Sequence, residues 1–326
     1  RATEVLVNNL KKASAPIQSE EDIAHIATIS ANNDEVIGKL IAKAVDCVGK
    51  DGSITVEQAR SIQTSLDLRE GFHFDSGFVA GAFVTDQRRG AVVYDEPLIL
   101  VADTKIDKVE QILPILEMVA REQRSLVIVA SEIEGQALAA LIMNTVRGTM
   151  KIAAVKAPRY GEERRGILKD LCLATGAAFI TKSGEMKLED VKLSHLGSCE
   201  KIDIVKNSST FIGGKGNYKD VEEQIEALKV EIENTDDLHE CERIQERITR
   251  LASGVAIIKV GAPTEAEMIE KRHRIEDALE AVKAAQQEGI VPGGGVALVR
   301  ALPKKAGSPA EQIVYEAVKE PIRQMA

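Results

Sequence analysis

Few residues in this chain have types and spacing that could do chemistry. Gly293-Gly294-Gly295 precedes Val296-Ala297-Leu298-Val299, a stretch with the character of a helix. Consecutive glycines carry an entropic cost, so such a turn has a reason. Bare backbone at a helix start can approach a phosphate or a nucleotide; equally, a glycine turn can let two backbones pack together. One helix earlier, Asp277 lies in Arg274-Ile275-Glu276-Asp277-Ala278-Leu279. Its carboxylate could orient a water for attack on a phosphoryl group, or be an exposed helix acid paired with Arg or Lys. No G-x-x-x-x-G-K-[ST] motif occurs, so the chain is not of the P-loop kind. The five histidines are scattered, and no Ser/His/Asp or Cys/His constellation emerges to support hydrolase chemistry. Cys47, Cys172, Cys199 and Cys241 show no C-x-x-C spacing and no histidine at ligand distance. They read as reduced thiols, with no metal site.

The second kind of chemistry on offer is apolar. Glu70–Phe83 holds Phe72, Phe74, Phe78 and Phe83, four of the chain's six phenylalanines, with glycines between them. That spacing predicts an irregular segment. Its rings form either an exposed patch for binding other proteins or a plug at one end of a core. Leu113 and Leu116, and then Leu138, Ile142 and Met143, sit at helix-face spacing, which in most helices marks a core-facing side.

These residues need a frame. The chain has 326 residues, 44% hydrophobic and 29% charged, with a net charge of -9, no Trp and only 3% aromatics. Two or three domains with aliphatic cores follow. The acidic balance argues against nucleic acid as a partner, and interrupted apolar stretches argue against a membrane span. The start, Arg1-Ala2-Thr3-Glu4-Val5-Leu6, carries no signal-peptide pattern and reads as the middle of an amphipathic helix, as though the sequence begins inside a longer protein.

Ser19-Glu20-Glu21-Asp22 resembles a capping segment ahead of helical spacing over 17–50, divided before Asp34. Gly49-Lys50-Asp51-Gly52 reads as a turn and Ser53–Glu57 as a strand. Leu98–Ala102, Leu126–Ala130, Lys151–Val155 and Ala178–Ile180 are short apolar runs of buried-strand type. Helical patterns over 108–120, 135–146 and 163–175 alternate with them, which implies a parallel sheet flanked by helices. Residues 219–252 read as an antiparallel helical hairpin, with Gly254 as a left-handed cap. A strand over 255–260 and a long helix over 264–288 follow. The α/β block therefore lies inserted between helical stretches.

Six segments carry a resemblance. They are Ala27-Thr28-Ile29-Ser30-Ala31-Asn32; Gly49-Lys50-Asp51-Gly52-Ser53-Ile54-Thr55-Val56-Glu57; Glu134-Gly135-Gln136-Ala137-Leu138-Ala139; Ala154-Val155-Lys156-Ala157-Pro158; Ser253-Gly254-Val255-Ala256-Ile257-Ile258-Lys259-Val260-Gly261-Ala262; and Gly293-Gly294-Gly295-Val296-Ala297-Leu298. In this order, over nearly the whole chain, they resemble the GroEL family of group I chaperonins.

The resemblance implies a mixed α/β and α architecture. Residues 1–12 and 288–326 would be pieces of an all-α equatorial domain, and 13–69 and 256–287 an α+β intermediate domain. Residues 70–255 would be an inserted α/β apical domain bearing the helical hairpin. It implies a chaperone subunit that binds non-native polypeptides through an apolar apical groove and assists ATP-driven folding. The partners would be other subunits of a heptameric ring, doubled in the intact particle, and a GroES-type co-chaperonin. The location would be cytoplasmic, or else a mitochondrial matrix or plastid stroma. ATP and Mg2+ would serve the intact protein, Asp277 would promote hydrolysis, and Gly294 would contact nucleotide. Phe78, Phe83, Leu113, Leu116, Leu138, Ile142, Met143 and Asn144 would form the client surface.

Departures accompany it. Ser76 stands where the family usually has Arg, which the resemblance makes a partner of the Glu265 position in a contact between subunits, and Ala82 where it has Tyr. Gln136 replaces Glu, Arg159-Tyr160-Gly161 replaces Gly-Phe-Gly, and about 303–312 is shorter than usual. The family's phosphate loop, with G-D-G-T-T-T, does not occur and would lie before Arg1. The chain as given is therefore expected to bind no nucleotide cofactor, to hydrolyse no ATP and to form no stable ring. The competing expectations are a binding-only paralogue of the family and, from another class, an α/β enzyme that uses the glycine turn for a phosphorylated ligand.

Overall fold

The computed structural model describes all residues except Arg1, Gln18, Lys50, Asp51, Arg60, Ser183, Glu185, Asp236, Ser253, Lys304, Lys305, Ala306 and Ala326. Part of the expected 49–52 turn, Lys50 and Asp51, and Ser253 of the fifth motif thus lie outside the described residues, as does part of the shortened 303–312 segment.

In chain order the elements are α1 (Ala2–Ala13), α2 (Glu20–Ser30), α3 (Glu35–Val48), β1 (Ser53–Gln58), β2 (Ser65–Phe74), β3 (Val92–Asp95), β4 (Leu98–Ile106), α4 (Leu113–Glu122), β5 (Leu126–Ile133), α5 (Gly135–Val146) and β6 (Ile152–Lys156). There follow α6 (Gly161–Thr175), β7 (Phe179–Thr181), β8 (Gly197–Ile204), β9 (Ser209–Gly214), α7 (Tyr218–Glu233), α8 (Leu238–Ala252), β10 (Gly254–Val260), α9 (Glu265–Glu288), α10 (Val296–Arg300), α11 (Pro309–Ala317) and α12 (Glu320–Met325). Two compact units result: Arg1–Asp46, Val56–Leu66 and Lys259–Ala326 in the first, Cys47–Thr55 and Asp67–Ile258 in the second. The expected inserted block, 70–255, falls inside the second unit.

The second unit is built on a mixed sheet. β4 pairs in parallel with β5 (Leu98↔Leu126 onward) and with β7, and β5 pairs in parallel with β6. Leu98–Ala102, Leu126–Ala130 and Ile152–Val155 are buried throughout, which is why these strands read as unbroken apolar runs. The crossovers through α4 and α5 step the same way across the sheet, and the one through α6 returns. Right-handed connections therefore put α4 and α5 on one face and α6 on the other. The sheet is not parallel throughout, as the alternation had implied. β8 pairs antiparallel with β4, β3 and β9, and β9 with β2. The expectation of an irregular Glu70–Phe83 is corrected as well: the segment is strand through Phe74, and Phe72 and Phe74 are buried in the main core.

Two helix boundaries also differ from the sequence reading. The 108–120 helix is broken: a 3-10 turn spans Val109–Gln111 and α4 begins at Leu113. Pro114 sits in its first turn, where the missing N–H costs no hydrogen bond. Gly254 is not a left-handed cap but the first residue of β10, and a Cβ there would lie 2.8 Å from the Arg69 carbonyl oxygen. Close strand approach is what requires glycine at that position.

Polar side chains fasten the second unit at three places. Asp103 accepts from Arg164 Nε at 2.7 Å and Arg165 Nε at 2.9 Å. Buried Asp203 accepts from Arg89 Nη2 at 2.8 Å. Asp170 on α6 accepts from Arg247 Nε and Nη2 of α8, both at 2.8 Å. The hairpin itself closes over Leu228, Ile244 and Ile248.

In the first unit, Ser19 caps α2 through a reciprocal box with Asp22, as the sequence predicts. α2 packs along α9, Arg274 of α9 reaches Asp34 at 3.4 Å, and α1 buries Leu6 with Ala301 and Tyr315. The backbones of Ala15 and Ile290 exchange hydrogen bonds of 2.9 and 2.8 Å.

Candidate functional site

α5 has an apolar arc wider than its core contact needs. At about 100° per residue, Ala137 and Leu141 point into the core and are buried. Around the circumference come Leu138 and Ile142, half-buried at the core's edge. Beyond them lie Val146 and Met143, 68% and 47% exposed. A helix that only covered a sheet would turn polar after the first of these steps; α5 stays apolar into solvent. Leu113, at the start of α4, is 46% exposed, while Ile115 and Val119 of the same helix are fully buried.

The residues expected to form the client surface divide accordingly. Leu113 and Met143 are exposed, and Leu138 and Ile142 are half-buried. Phe78 is also half-buried, in a segment that runs antiparallel beside β6 through Val155. Two expectations of outward projection are corrected. Phe83 is 0% exposed and Leu116 6% exposed. Phe83 closes a 3-10 turn, Gly81–Phe83, that packs under α5 and against β6, and Leu116 faces inward from α4 with Ile115 and Val119. Packing, not residue type, assigns these side chains to the interior. Asn144 is spent on ending α5: its Nδ2 donates to the Ala140 carbonyl at 2.8 Å and its Oδ1 accepts from Thr149 Oγ1 at 3.0 Å. Sequence reasoning missed Val146, although its spacing of four from Ile142 was the available signal. Ala82 is exposed and Ser76 half-buried.

The glycine turn resolves into two functions. Gly294 and Gly295 both take positive φ, +64° and +75°. A Cβ on Gly295 would lie 2.9 Å from Ile322 N, so that glycine lets α12 approach. Gly293 and Gly294 face open space, with nothing within 4 Å of a Cβ. The packing reading holds for Gly295, and bare accessible backbone is present at its neighbours. α10 behind the turn is only five residues long, so backbone exposure, more than a helix dipole, is what the turn offers.

Asp277 is exposed on α9, and its main-chain carbonyl accepts from Ser30 Oγ at 3.4 Å. Arg274, one turn earlier, does not serve as its counter-ion: it is held by Glu270 at 2.7 Å and Asp34 at 3.4 Å. All four cysteines are free thiols. Burial pushes Cys172 and Cys199 up to about 12. Among the described residues, no three His, Cys, Asp or Glu side chains gather as a metal site, and no helix is long and apolar enough to cross a membrane.

The second unit is thus an α/β lobe whose α5 carries exposed apolar side chains. The sequence model of the TCP-1/cpn60 chaperonin family matches residues 1–326, and the chain belongs to that family. Membership brings a chaperone role in protein folding, oligomeric assembly and the binding of substrate proteins.

Proposed function

We propose that this chain is a GroEL-type subunit that holds non-native polypeptides on the outward face of α5, extended by Leu113 of α4. The observation that carries this reading is the apolar arc that runs from buried Leu141, through half-buried Leu138 and Ile142, to exposed Met143 and Val146, with Thr145 within it turning its hydroxyl to the Leu141 carbonyl. Misfolded chains share exposed apolar surface and little else, so a broad apolar face can serve many of them. A flexible thioether such as Met143 adapts to varied shapes. Phe83 lies in the turn packed against α5, and Leu116 is buried in the core from α4.

In the intact protein, ATP with Mg2+ supplies the phosphoryl-transfer energy in this proposal. The open backbone of Gly293 and Gly294 fits close approach of a nucleotide, and the exposed Asp277 carboxylate is available to orient a water. Mg2+ would rest chiefly on the phosphates, as this ion commonly does. A heptameric ring of intact subunits, a GroES-type co-chaperonin and a cytoplasmic location, with an organellar matrix or stroma as the alternative, complete the reading.

The test is suppression of aggregation of a chemically denatured client. Met143→Glu and Val146→Glu place charge on the face without touching the core. Each should require about tenfold more chain for equal protection, a loss of about 1.4 kcal/mol, with an unchanged melting temperature. Full protection by both variants overturns the assignment. Phe83→Glu and Leu116→Glu are unsuited, because a buried charge there would unfold the lobe.

A further inference from the structure

The second unit has another concavity, lined by no residue of α4 or α5. It lies among β2, β9, the end of α6 and the helical hairpin, with a volume of about 940 Å3. That is within the range of small-molecule sites. Glycines make its tight walls possible. A Cβ on Gly71 would collide with the Val255 side chain and come within 2.8 Å of the Phe211 carbonyl, and one on Gly216 would strike the Leu173 carbonyl. The strands and the end of α6 thus close up as bare backbone beside apolar Leu68, Phe211, Val221, Ile225 and Leu251.

The mouth is acidic, with Glu70, Glu222, Glu223 and Glu226. The two cations among the lining residues are already engaged: Lys229 with Glu226 at 2.7 Å, and Arg69 with Glu200 at 3.9 Å. The Tyr218 hydroxyl is held up in pKa chiefly by the Glu222 carboxylate of α7, and Glu70 of β2 adds its negative charge. Two carboxylates from separate elements therefore converge on one aromatic ring at the edge of an apolar cleft. Among the described residues, no cation pairs with either. Like charges held together this way are satisfied by a cation from outside, and an aromatic face adds to the attraction.

We propose that this cleft binds an organic cation with an apolar body, an alkyl- or aryl-ammonium, its head between Glu70, Glu222 and Tyr218 and its body over Leu68 and Ile225. The acidic mouth rejects anionic amphiphiles of the same length. The site is independent of the client face.

The full chain is titrated calorimetrically with dodecyltrimethylammonium below its micelle concentration, and with dodecyl sulfate as the matched anion. The ammonium should bind one per chain, at least about tenfold tighter than the sulfate. The Glu70→Gln/Glu222→Gln double variant should lose about tenfold in affinity, a change expected from two removed charges, while Met143→Glu changes nothing. Equal affinity for both amphiphiles, or loss of binding in Met143→Glu with none in the double variant, overturns the proposal. Cys47 lines the cleft and gives a reading in the unaltered protein. Its alkylation should slow several-fold in the presence of the ammonium, with Cys241 unaffected, and equal rates with and without the ligand also overturn the proposal.

Discussion

Replacing Arg247 by Met should loosen the hairpin more than any other single change on its surface. The guanidinium grips Asp170 through two hydrogen bonds of 2.8 Å, and the carboxylate side chain is 1% exposed. Room for it is prepared on α6, where a Cβ on Gly166 would lie 3.1 Å from Arg247 Nε. Burial pushes the Asp170 carboxyl above the usual range even against the pull of Arg247. An ionised carboxylate is therefore tolerated there only because the fork answers it. Removing one partner of such a pair costs about 3–5 kcal/mol. In a unit of this size that lowers the melting temperature by about 6–20 °C. Denaturant unfolding of the full chain, with hydrogen exchange to localise the loss to α6 and α8, measures it. The pH dependence has a definite sign. Without Arg247, Asp170 moves further upward, so the folded state binds its proton more readily than the unfolded one. The deficit then shrinks as pH falls and grows as pH rises through the folded value. Replacing both partners, Asp170→Leu with Arg247→Met, should recover most of the loss. A deficit below about 1 kcal/mol for Arg247→Met alone, or one that deepens in acid, refutes the reasoning.

Two further outcomes follow from local geometry. Gly295→Ala should cost about 1–3 kcal/mol, because a strained left-handed residue is joined by a collision with Ile322. Gly294→Ala, strained but facing open space, should cost about 1 kcal/mol, and equal losses in thermal denaturation would remove the distinction between the two glycines. Alkylation of the native protein at pH 8 should label Cys47 and Cys241 and spare Cys172 and Cys199, whose thiols are held near 12; mass spectrometry of the labelled chain shows whether the buried pair reacts before unfolding.

The parallel half of the sheet was legible because its strands are buried on both faces, so Leu98–Ala102 and Leu126–Ala130 have no polar interruption. The antiparallel half was not. β8 carries Glu200, Lys201 and Asp203 within its run, and the partner that makes Asp203 tolerable inside, Arg89, lies 114 residues away. No local pattern reveals such a pairing. The same limit governs the site. Phe78 and Phe83 are the same residue type in one segment, yet Phe83, in the turn packed against α5, is wholly inside and Phe78 is half-buried. Gly294 and Gly295 likewise differ only through Ile322, far along the chain. What periodicity did encode was the face of α5: Leu138, Ile142 and Val146 recur every fourth residue, and the outward continuation was readable to its end.

Because α5 packs against the turn that Phe83 closes, the helix that we propose holds clients has an adjustable foundation. A smaller or differently shaped ring would let the helix settle or tilt, altering which shapes of polypeptide its outer row accommodates while leaving every contacting side chain unchanged. Evolution can thus retune the breadth of what is captured through a position that no captured chain ever meets.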